Sequence, residues 1–223
     1  MVVKIMGRVK VQNSPTIRRM PSYLHKLLRM RMEGRSHVST TELAEYMGIE
    51  QIVVRKDIAL TGITGRRRIG YEVNELITYI KEYLGWSGRI TATLLGAGAL
   101  GSAILGYDEF QVYGLYIESA FDNDPEKIGR VIRGREVYDI ATIGQRLSYS
   151  PPDIAIICVP TAQAQEVADQ VVAAGIKYIW NFSNITLKVP NGVIVQREVI
   201  AGGLATLTVK MKNDKAGIYQ KIE

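Results

Sequence analysis

The chain has 223 residues, of which 47% are hydrophobic and one is a cysteine, so it can bury a core and is neither wholly disordered nor held by internal disulfides. Residues 1–86 hold 15 Lys and Arg against 8 Asp and Glu, a balance of +7, whereas the remainder holds 13 against 14. Such a basic head favours an anionic partner, nucleic acid ahead of a membrane surface, unless its cations only form a solvated face.

The N-terminal head begins with a segment that has no clear pattern. Residues 1 to about 20 are predicted to form a flexible or partly ordered arm. A first helix is predicted from Pro21 to Met32, where apolar residues recur at helical spacing before Gly34. The run Ser39-Thr40-Thr41-Glu42 is a capping box, in which the first and last residues satisfy each other's free backbone N–H group, and it predicts the start of a second helix.

A third helix is predicted from Glu50 to Leu60, after a short turn. Its apolar residues lie one turn apart on one side, so Arg55 and Lys56 point away from the core. Two helices joined in this way, with cations on the second, are typical of a helix-turn-helix that places its second helix in the major groove of DNA. A fourth helix is predicted from Asn74 to Leu84.

The segment 61–71 is punctuated by glycines and is predicted to form a β-hairpin wing. Arg66, Arg67 and Arg68 lie at its tip, where they suit a narrow minor groove or phosphate groups. The three arginines alone would indicate only a solvated loop. A capped helix, a turn, a basic helix and a basic wing in this order predict a winged-helix DNA-binding domain with its arm over residues 1–86.

A glycine-rich motif opens the second part of the chain. Gly96-Ala97-Gly98-Ala99-Leu100-Gly101 matches GxGxxG between a predicted strand, Arg89 to Leu95, and an apolar helix, Ser102 to Gly106. A second predicted strand, Leu115 to Phe121, ends at Asp122. This context predicts a dinucleotide-binding unit of two strands and a helix.

Each position of the motif has a physical role. Gly96 permits the tight turn, Gly98 lets the backbone approach a pyrophosphate, and Gly101 lets the helix pack closely on the strand. A carboxylate at Asp122 accepts hydrogen bonds from ribose hydroxyls and repels a 2′-phosphate, which favours NAD(H) over NADP(H). Glycines that serve packing alone, or a site for CoA or a nucleotide-sugar, are the alternatives.

Three further elements extend the α/β pattern. A strand, a helix and a strand are predicted at 153–159, 161–175 and 178–182. This alternation is typical of a Rossmann-type parallel sheet covered on both faces, here over residues 87–196. Ligands bind at the carboxyl ends of such strands, which places Val159, Pro160, Asn181 and Phe182 at the mouth of the site.

Together these segments resemble the Rex family of NADH-responsive repressors, from about Pro21 to Thr208. The resemblance is carried by VRKDI (54–58), the wing glycines with Tyr71, GAGALG (96–101), AFDNDPEKIG (120–129), and AGIK (174–177) leading to Asn181-Phe182. It implies a homodimer that binds palindromic double-stranded operator DNA when NAD+ prevails or the site is empty. NADH would close the two Rossmann domains together and release the DNA, without catalysis.

The same resemblance implies roles for individual residues. Arg55 and Lys56 would contact bases or position the helix on DNA, and the wing arginines would follow the groove. Tyr107 and Phe182 would lie near the nicotinamide. Residues 197–223 would form a tail and a hydrophobic dimerisation helix that is exchanged between subunits.

Three features depart from the family pattern. Arg68 stands where the family usually has another wing glycine. Gly202-Gly203 lie in the C-terminal helix, and because a glycine in a helix interior costs about 1 kcal/mol relative to alanine, we expect a shorter or kinked helix. Asn181 is neutral where some relatives have a carboxylate that couples redox state to domain closure, so we expect a weaker ligand response.

Two other functions stay open from the residues alone. A GxGxxG motif with an acidic partner also serves NAD-dependent dehydrogenases. Against this, the two histidines, His25 and His37, both lie in the head, which leaves Tyr107 and Lys188 as acid–base candidates. The second alternative is a DNA-binding protein in which a nucleotide only supports the fold.

Two local features bear on location. The uncharged stretch 90–107 approaches the length of a membrane span, but its glycines and the strand after it favour a buried strand and helix. Cys158 lies in an apolar run and is predicted to be a small buried hydrophobe, which suits a reducing, cytoplasmic setting.

Overall fold

The computed structural model describes residues 14–215, which divide into a unit that ends at Arg89 and a unit that begins at Ile90. The first unit contains α1 (Ser14–Met32), β1 (His37–Val38), α2 (Thr40–Met47), α3 (Gln51–Ala59), β2 (Tyr71–Glu72) and α4 (Val73–Leu84). The second contains β3 (Ile90–Leu95), α5 (Ala99–Leu105), α6 (Glu109–Val112), β4 (Leu115–Asp122), β5 (Val131–Ile132), β6 (Arg135–Asp139), a 3₁₀ turn (Ile140–Thr142), α7 (Ile143–Leu147), β7 (Ile154–Ile157), α8 (Ala164–Ala173), β8 (Tyr178–Asn181), β9 (Ile194–Arg197) and α9 (Ala201–Lys215).

Helix α1 begins at Ser14, so the prediction of an arm up to about residue 20 is wrong for its last part. Tertiary packing explains the difference, because Met20 is fully buried and Thr16 is nearly so. Pro21 lies inside the helix, so its backbone nitrogen has no hydrogen to donate there. Residues 1–13, the rest of the predicted arm, lie outside the described part of the chain.

The core of the first unit is formed mainly where α1 packs against α4. Both helices bury apolar side chains at spacings of three and four residues, as an amphipathic helix requires. On α1 these are Tyr23, Leu24, Leu27 and Met30, and on α4 they are Leu76, Ile77 and Ile80. Strand β2 pairs antiparallel with β1, which closes the unit next to the wing.

Seven strands form one sheet in the second unit, in the order β5-β6-β4-β3-β7-β8-β9. Every neighbouring pair is parallel except β5 with β6. From β6 to β9 this is the strand order 3-2-1-4-5-6 of a Rossmann fold, which reverses between β3 and β7. The carboxyl ends of β3, β4 and β7 lie level, since Leu95 pairs with both Phe121 and Ile157.

Both faces of the sheet are buried. Leu95 and Ile157 belong to a core that α7 and α8 cover, while their neighbours Leu94 and Ile156 belong to a second core under α5. Alternate residues of one strand thus face different apolar layers, which is why these strands are continuously hydrophobic. The predicted α/β parallel sheet is confirmed.

The uncharged stretch 90–107 folds as β3 and α5, as predicted. Within residues 14–215, no helix combines the length and the apolar character needed to cross a bilayer.

Helix α9 exposes its entire length in the structure, since it has no buried residue. Leu204 and Leu207 are each 63% exposed and Met211 is 50% exposed. Gly202 and Gly203 lie in the first turn, where N–H groups have no partner inside the helix anyway. These glycines therefore lie at the start of α9 and not in its interior, and α9 continues to Lys215. A helix that is shorter or kinked compared with that of the family stays a prediction.

Candidate functional site

The predicted capping box at the start of α2 is only half formed. Ser39 is the N-cap, and its Oγ accepts a hydrogen bond from the N–H of Glu42 at 3.1 Å. Both carboxylate oxygens of Glu42 are occupied by the guanidinium of Arg35, at 2.8 and 3.0 Å. The predicted return bond from Glu42 to the backbone of Ser39 is replaced by this bidentate ion pair, which fixes the start of the helix-turn-helix.

The outer face of α3 combines two cations with one large apolar side chain. Arg55 and Lys56 are exposed, as predicted, and Ile52 is 50% exposed in the first turn of the helix. The Nε2 of Gln51 donates to the Oγ1 of Thr41 at 2.6 Å, and the Oε1 of Gln51 accepts from Arg55 Nη2 at 3.2 Å. Gln51 thereby ties Arg55 to the start of α2.

The inner face of α3 is anchored to α1 through Asp57, which is 2% exposed. Its carboxylate accepts hydrogen bonds from Thr16 Oγ1 at 2.7 Å, Tyr23 Oη at 2.8 Å, and Arg19 Nε and Nη2 at 2.6 and 2.8 Å. Burial alone would raise the pKa of Asp57, but these bonds outweigh burial and hold the pKa below its ordinary value. The anchor fixes which side of α3 faces outward.

The wing is smaller than predicted. Arg66 and Gly70 exchange two backbone hydrogen bonds, at 2.8 and 2.9 Å, around a tight turn, and the following strand β2 pairs with β1 and not within the wing. Arg66, Arg67 and Arg68 are all exposed. Arg68 has a φ of 65°, a left-handed conformation that costs a residue other than glycine about 1 kcal/mol. Glycine would adopt this backbone conformation without that cost.

The turn between β3 and α5 is shaped by its glycines. Gly96 has a φ of 96°, and a Cβ there would lie 2.9 Å from the backbone that follows β7. A Cβ on Gly101 would lie 2.0 Å from the carbonyl oxygen of Gly96. Gly98, the N-cap of α5, instead faces open space within 4 Å. Ala99 and Leu100 expose the first turn of the helix, where a phosphate can approach free N–H groups.

Asp122 ends β4 beside this turn and is 7% exposed. Its Oδ2 accepts from the N–H of Ala97 at 2.8 Å and from the ammonium of Lys127 at 3.3 Å, and its Oδ1 accepts from the N–H of Asp124 at 2.9 Å. A carboxylate offers about four acceptor positions. Three are used here, so one is free for a ribose hydroxyl.

Lys127 completes this group and was not predicted as a site residue. Its ammonium also lies 3.2 Å from Asp124 Oδ2. Partial burial lowers the pKa of Lys127, but the two carboxylates outweigh burial and raise it. The sequence signal was the spacing Asp122-Asp124-Lys127 directly after a predicted strand.

A cleft of about 400 Å³ opens at these strand ends. It is lined by several predicted residues, namely Gly96, Gly98, Asp122, Val159 and Pro160, and also by Lys127, Ile140, Gln163, Glu166 and Gln170. The last three recur at helical spacing along α8, a polar stripe that could have been found in the sequence. Cys158 also borders the cleft, and burial raises the pKa of its thiol to about 12, so it is neutral at pH 7.

Tyr107 and Phe182 line a second, mainly apolar cleft of about 570 Å³ together with Phe110 and Trp180. Ring centroids are 4.8 Å apart for Tyr107 and Phe110, and 4.9 Å apart for Trp180 and Phe182. The Tyr107 hydroxyl donates to Glu109 Oε2 at 2.7 Å, which raises the pKa of Tyr107 to about 12. An aromatic wall of this kind suits a flat heteroaromatic ring.

Asn181, predicted at the mouth of the site, is fully buried. Its Nδ2 donates to the carbonyl of Ile185 at 2.9 Å, and its Oδ1 accepts from the N–H and Oγ of Ser183 at 2.9 and 2.6 Å. The side chain thus holds the loop after β8 in shape. A direct contact of Asn181 with a ligand stays a prediction.

Comparisons with known proteins cover both units. A family profile described as "Putative DNA-binding protein N-terminus" matches residues 14–59, and one described as "CoA binding domain" matches residues 89–185. The redox-sensing transcriptional repressor Rex of Treponema denticola is 43% identical over 210 residues, which cover 94% of this chain and 100% of that protein.

Two similar solved structures are of RSP, a Rex-family repressor. RSP in complex with β-NAD+ and operator DNA has a TM-score of 0.81 and 34% identity, over 91% of this chain and 94% of that chain. RSP in complex with β-NADH has a TM-score of 0.79 and 32% identity, over 97% of both chains.

Proposed function

Because this chain belongs to the Rex family of redox-sensing transcriptional repressors, we propose that its first unit binds operator DNA and that its second unit binds NAD(H), which controls the first. It is a regulator and not an enzyme, like its family. The observation that carries the proposal is Asp122, a buried carboxylate joined to the glycine-rich turn and left with one free acceptor position.

Operator DNA is the partner of the outer face of α3 and of the wing. Arg55 and Lys56 would enter the major groove, and Arg66, Arg67 and Arg68 would contact phosphates or the minor groove. Their exposure and the basic charge of residues 1–86 support this assignment. The structure of RSP was solved with operator DNA, and its sequence is 34% identical to this chain, which supports a shared mode of DNA binding.

NADH and NAD+ are the ligands of the strand-end clefts. The residues present fit a dinucleotide: open space at Gly98 for the pyrophosphate, Asp122 for a ribose hydroxyl, and the aromatic wall of Tyr107 and Phe182 for the nicotinamide. Ala97, Ala99, Leu100 and Gly101 complete the turn, and Val159 and Pro160 border the cleft. The protein responds to the redox state of the bound nucleotide and does not oxidise or reduce it.

A homodimer is the functional form in this proposal. Helix α9 offers Leu204, Leu207 and Met211 on one side, uncovered in the described part of the chain, which is the pattern of a helix that packs on a partner. We assign residues 1–86 to the DNA-binding domain, 87–196 to the Rossmann domain and 197–223 to an exchanged dimerisation helix and tail. Because a repressor acts where its DNA lies, we assign it to the cytoplasm.

The test is fluorescence anisotropy of a labelled palindromic duplex at fixed salt, titrated separately with NADH and NAD+, because salt alone changes DNA affinity. We expect release by NADH at concentrations where NAD+ has little effect. Tight binding that ignores both nucleotides would leave a repressor with a structural nucleotide site. Absence of specific binding, with turnover of a substrate alcohol or amine, would support a dehydrogenase instead.

A further inference from the structure

The recognition helix α3 exposes one branched aliphatic side chain to solvent. Ile52 is 50% exposed, whereas Val54 and Ile58 on the same helix are 0% exposed. Ile52 is therefore not part of the core that Val54 and Ile58 help to form.

Ile52 lies on the same side of α3 as the predicted DNA-contacting cations. At 100° per residue, Ile52, Arg55, Lys56 and Ala59 fall within about 100° of the helix circumference, and all four are exposed. Ile52 is in the first turn, and the N-terminal residues of a recognition helix are those that meet base edges. The apolar group thus stands at the leading end of a basic face.

The surroundings of Ile52 are held in place. Its neighbour Gln51 bonds to both Thr40 and Thr41 at the start of α2, at 3.0 and 2.6 Å, and also bonds to Arg55. Asp57 anchors the opposite side of α3 to α1. A side chain on such a fixed helix has a defined position relative to the groove.

The chemistry of Ile52 narrows its partner to one group. Base edges in the major groove present hydrogen-bond donors, acceptors and the 5-methyl group of thymine. An isoleucine side chain can neither donate nor accept, so only the methyl group gains from contact with it. We propose that Ile52 is a specificity-determining residue that packs against a thymine methyl group in each operator half-site. The inference rests on the proposed function, because it requires α3 to enter the major groove.

Deoxyuridine tests the contact because it differs from thymine only by the missing methyl group. The probe is the best-binding palindromic duplex that the wild-type protein selects from a random pool, with symmetric thymine pairs replaced by deoxyuridine one pair at a time. For wild type, we expect one pair whose replacement weakens binding by about fourfold per methyl group, the factor for removing one such group from water. For Ile52→Ala, we expect weaker binding to the thymine duplex and no further loss at that pair.

Two variants act as controls. Ile52→Val keeps a branched apolar side chain and should keep most of the sensitivity at that pair. Met32→Ala removes another exposed apolar side chain, 87% exposed at the end of α1, and should keep the wild-type pattern. Circular dichroism confirms that each variant is folded.

The outcomes separate the inference from the proposed function. If no deoxyuridine pair weakens wild-type binding, or if Ile52→Ala loses as much affinity as wild type at the sensitive pair, the methyl contact is refuted while DNA binding stands. If the wild type selects no duplex from the pool, the proposed function fails and the inference fails with it.

Discussion

Asp57 shows how one buried side chain couples parts of the chain that are far apart in sequence. Its four hydrogen bonds all come from side chains of α1 that lie 34 to 41 positions upstream in the chain. A buried carboxylate is tolerated only when it is paired and hydrogen-bonded, so α1 and α3 are stabilised in one arrangement.

Replacing Asp57 should change both stability and its dependence on pH. Because the pKa of Asp57 is held below its ordinary value of about 4, its contribution is present above that pH and is lost as the pH falls through the lowered pKa. We expect Asp57→Asn to lower the free energy of unfolding by about 2 kcal/mol at pH 7, since Arg19 is 28% exposed and partly solvated once unpaired.

Urea unfolding at pH 7 and pH 3 measures this. The difference between wild type and Asp57→Asn should shrink at pH 3, while Glu45→Gln, an exposed carboxylate on α2, should unfold like wild type at both. A constant difference between the two pH values would show that ionisation of Asp57 contributes nothing.

Lys127 is expected to weaken the discrimination against NADP(H) that we propose for Asp122. Its ammonium neutralises Asp122 and would attract a 2′-phosphate, so Lys127→Met should lower the affinity for NADPH relative to NADH by about fivefold, or about 1 kcal/mol. Isothermal titration with both nucleotides measures the ratio. Lys177→Met, an exposed lysine before the start of β8, is the matched control and should leave it unchanged.

At the scale of elements, the helices and strands that contain a short, recognisable sequence pattern were predicted. The cap at Ser39, the periodic apolar residues of α4 and the strand, glycines and helix around GxGxxG are all readable over a few residues. Helix α1 before Pro21 was missed because its stability comes from contacts with Asp57 and the core. Strands β5 and β9 were missed because they are short or exposed, and sheet pairing alone defines them. Helix α7 was missed because it has only five residues, too few to show a helical period.

The candidate site was predictable to the same degree. The position of Asp122 could be predicted from its distance to the motif. The hydrogen bonds of its carboxylate to Ala97 and Lys127 could not, because they depend on how β3 and β4 lie beside each other. Glu42 likewise pairs with Arg35 and not with the backbone of Ser39, and this too depends on the tertiary structure.

The wing provides a test in which stability and DNA binding change in opposite directions. Arg68→Gly should raise the free energy of unfolding by about 1 kcal/mol, because glycine adopts the observed φ of 65° without strain. It should also reduce the salt dependence of DNA binding by about one phosphate contact. Thermal unfolding and anisotropy at several salt concentrations measure the two effects. Arg67→Gly, the exposed neighbour, should lose the phosphate contact without the gain in stability.

At the scale of the whole molecule, the apolar side of α9 should determine assembly. If the proposed dimer forms through α9, replacing Leu204 and Leu207 together by glutamine should convert it to a monomer and weaken binding to a two-half-site duplex by at least tenfold, because a second subunit no longer adds its contacts. Thr206→Gln, on the opposite side of α9, is the control. Light scattering after gel filtration measures the mass, and a variant that stays dimeric would place the interface elsewhere.

The anchor between α1 and α3 also sets the shortest DNA-binding fragment that can be expected to fold. A fragment cut at Pro21, where the sequence pattern first indicates a helix, would lack Thr16 and Arg19 and would leave Asp57 charged in an apolar interior with Tyr23 alone. A fragment that begins before Thr16 keeps the full set of donors. Asp57, in the third helix, therefore determines how far upstream of Pro21 a stable DNA-binding fragment must begin.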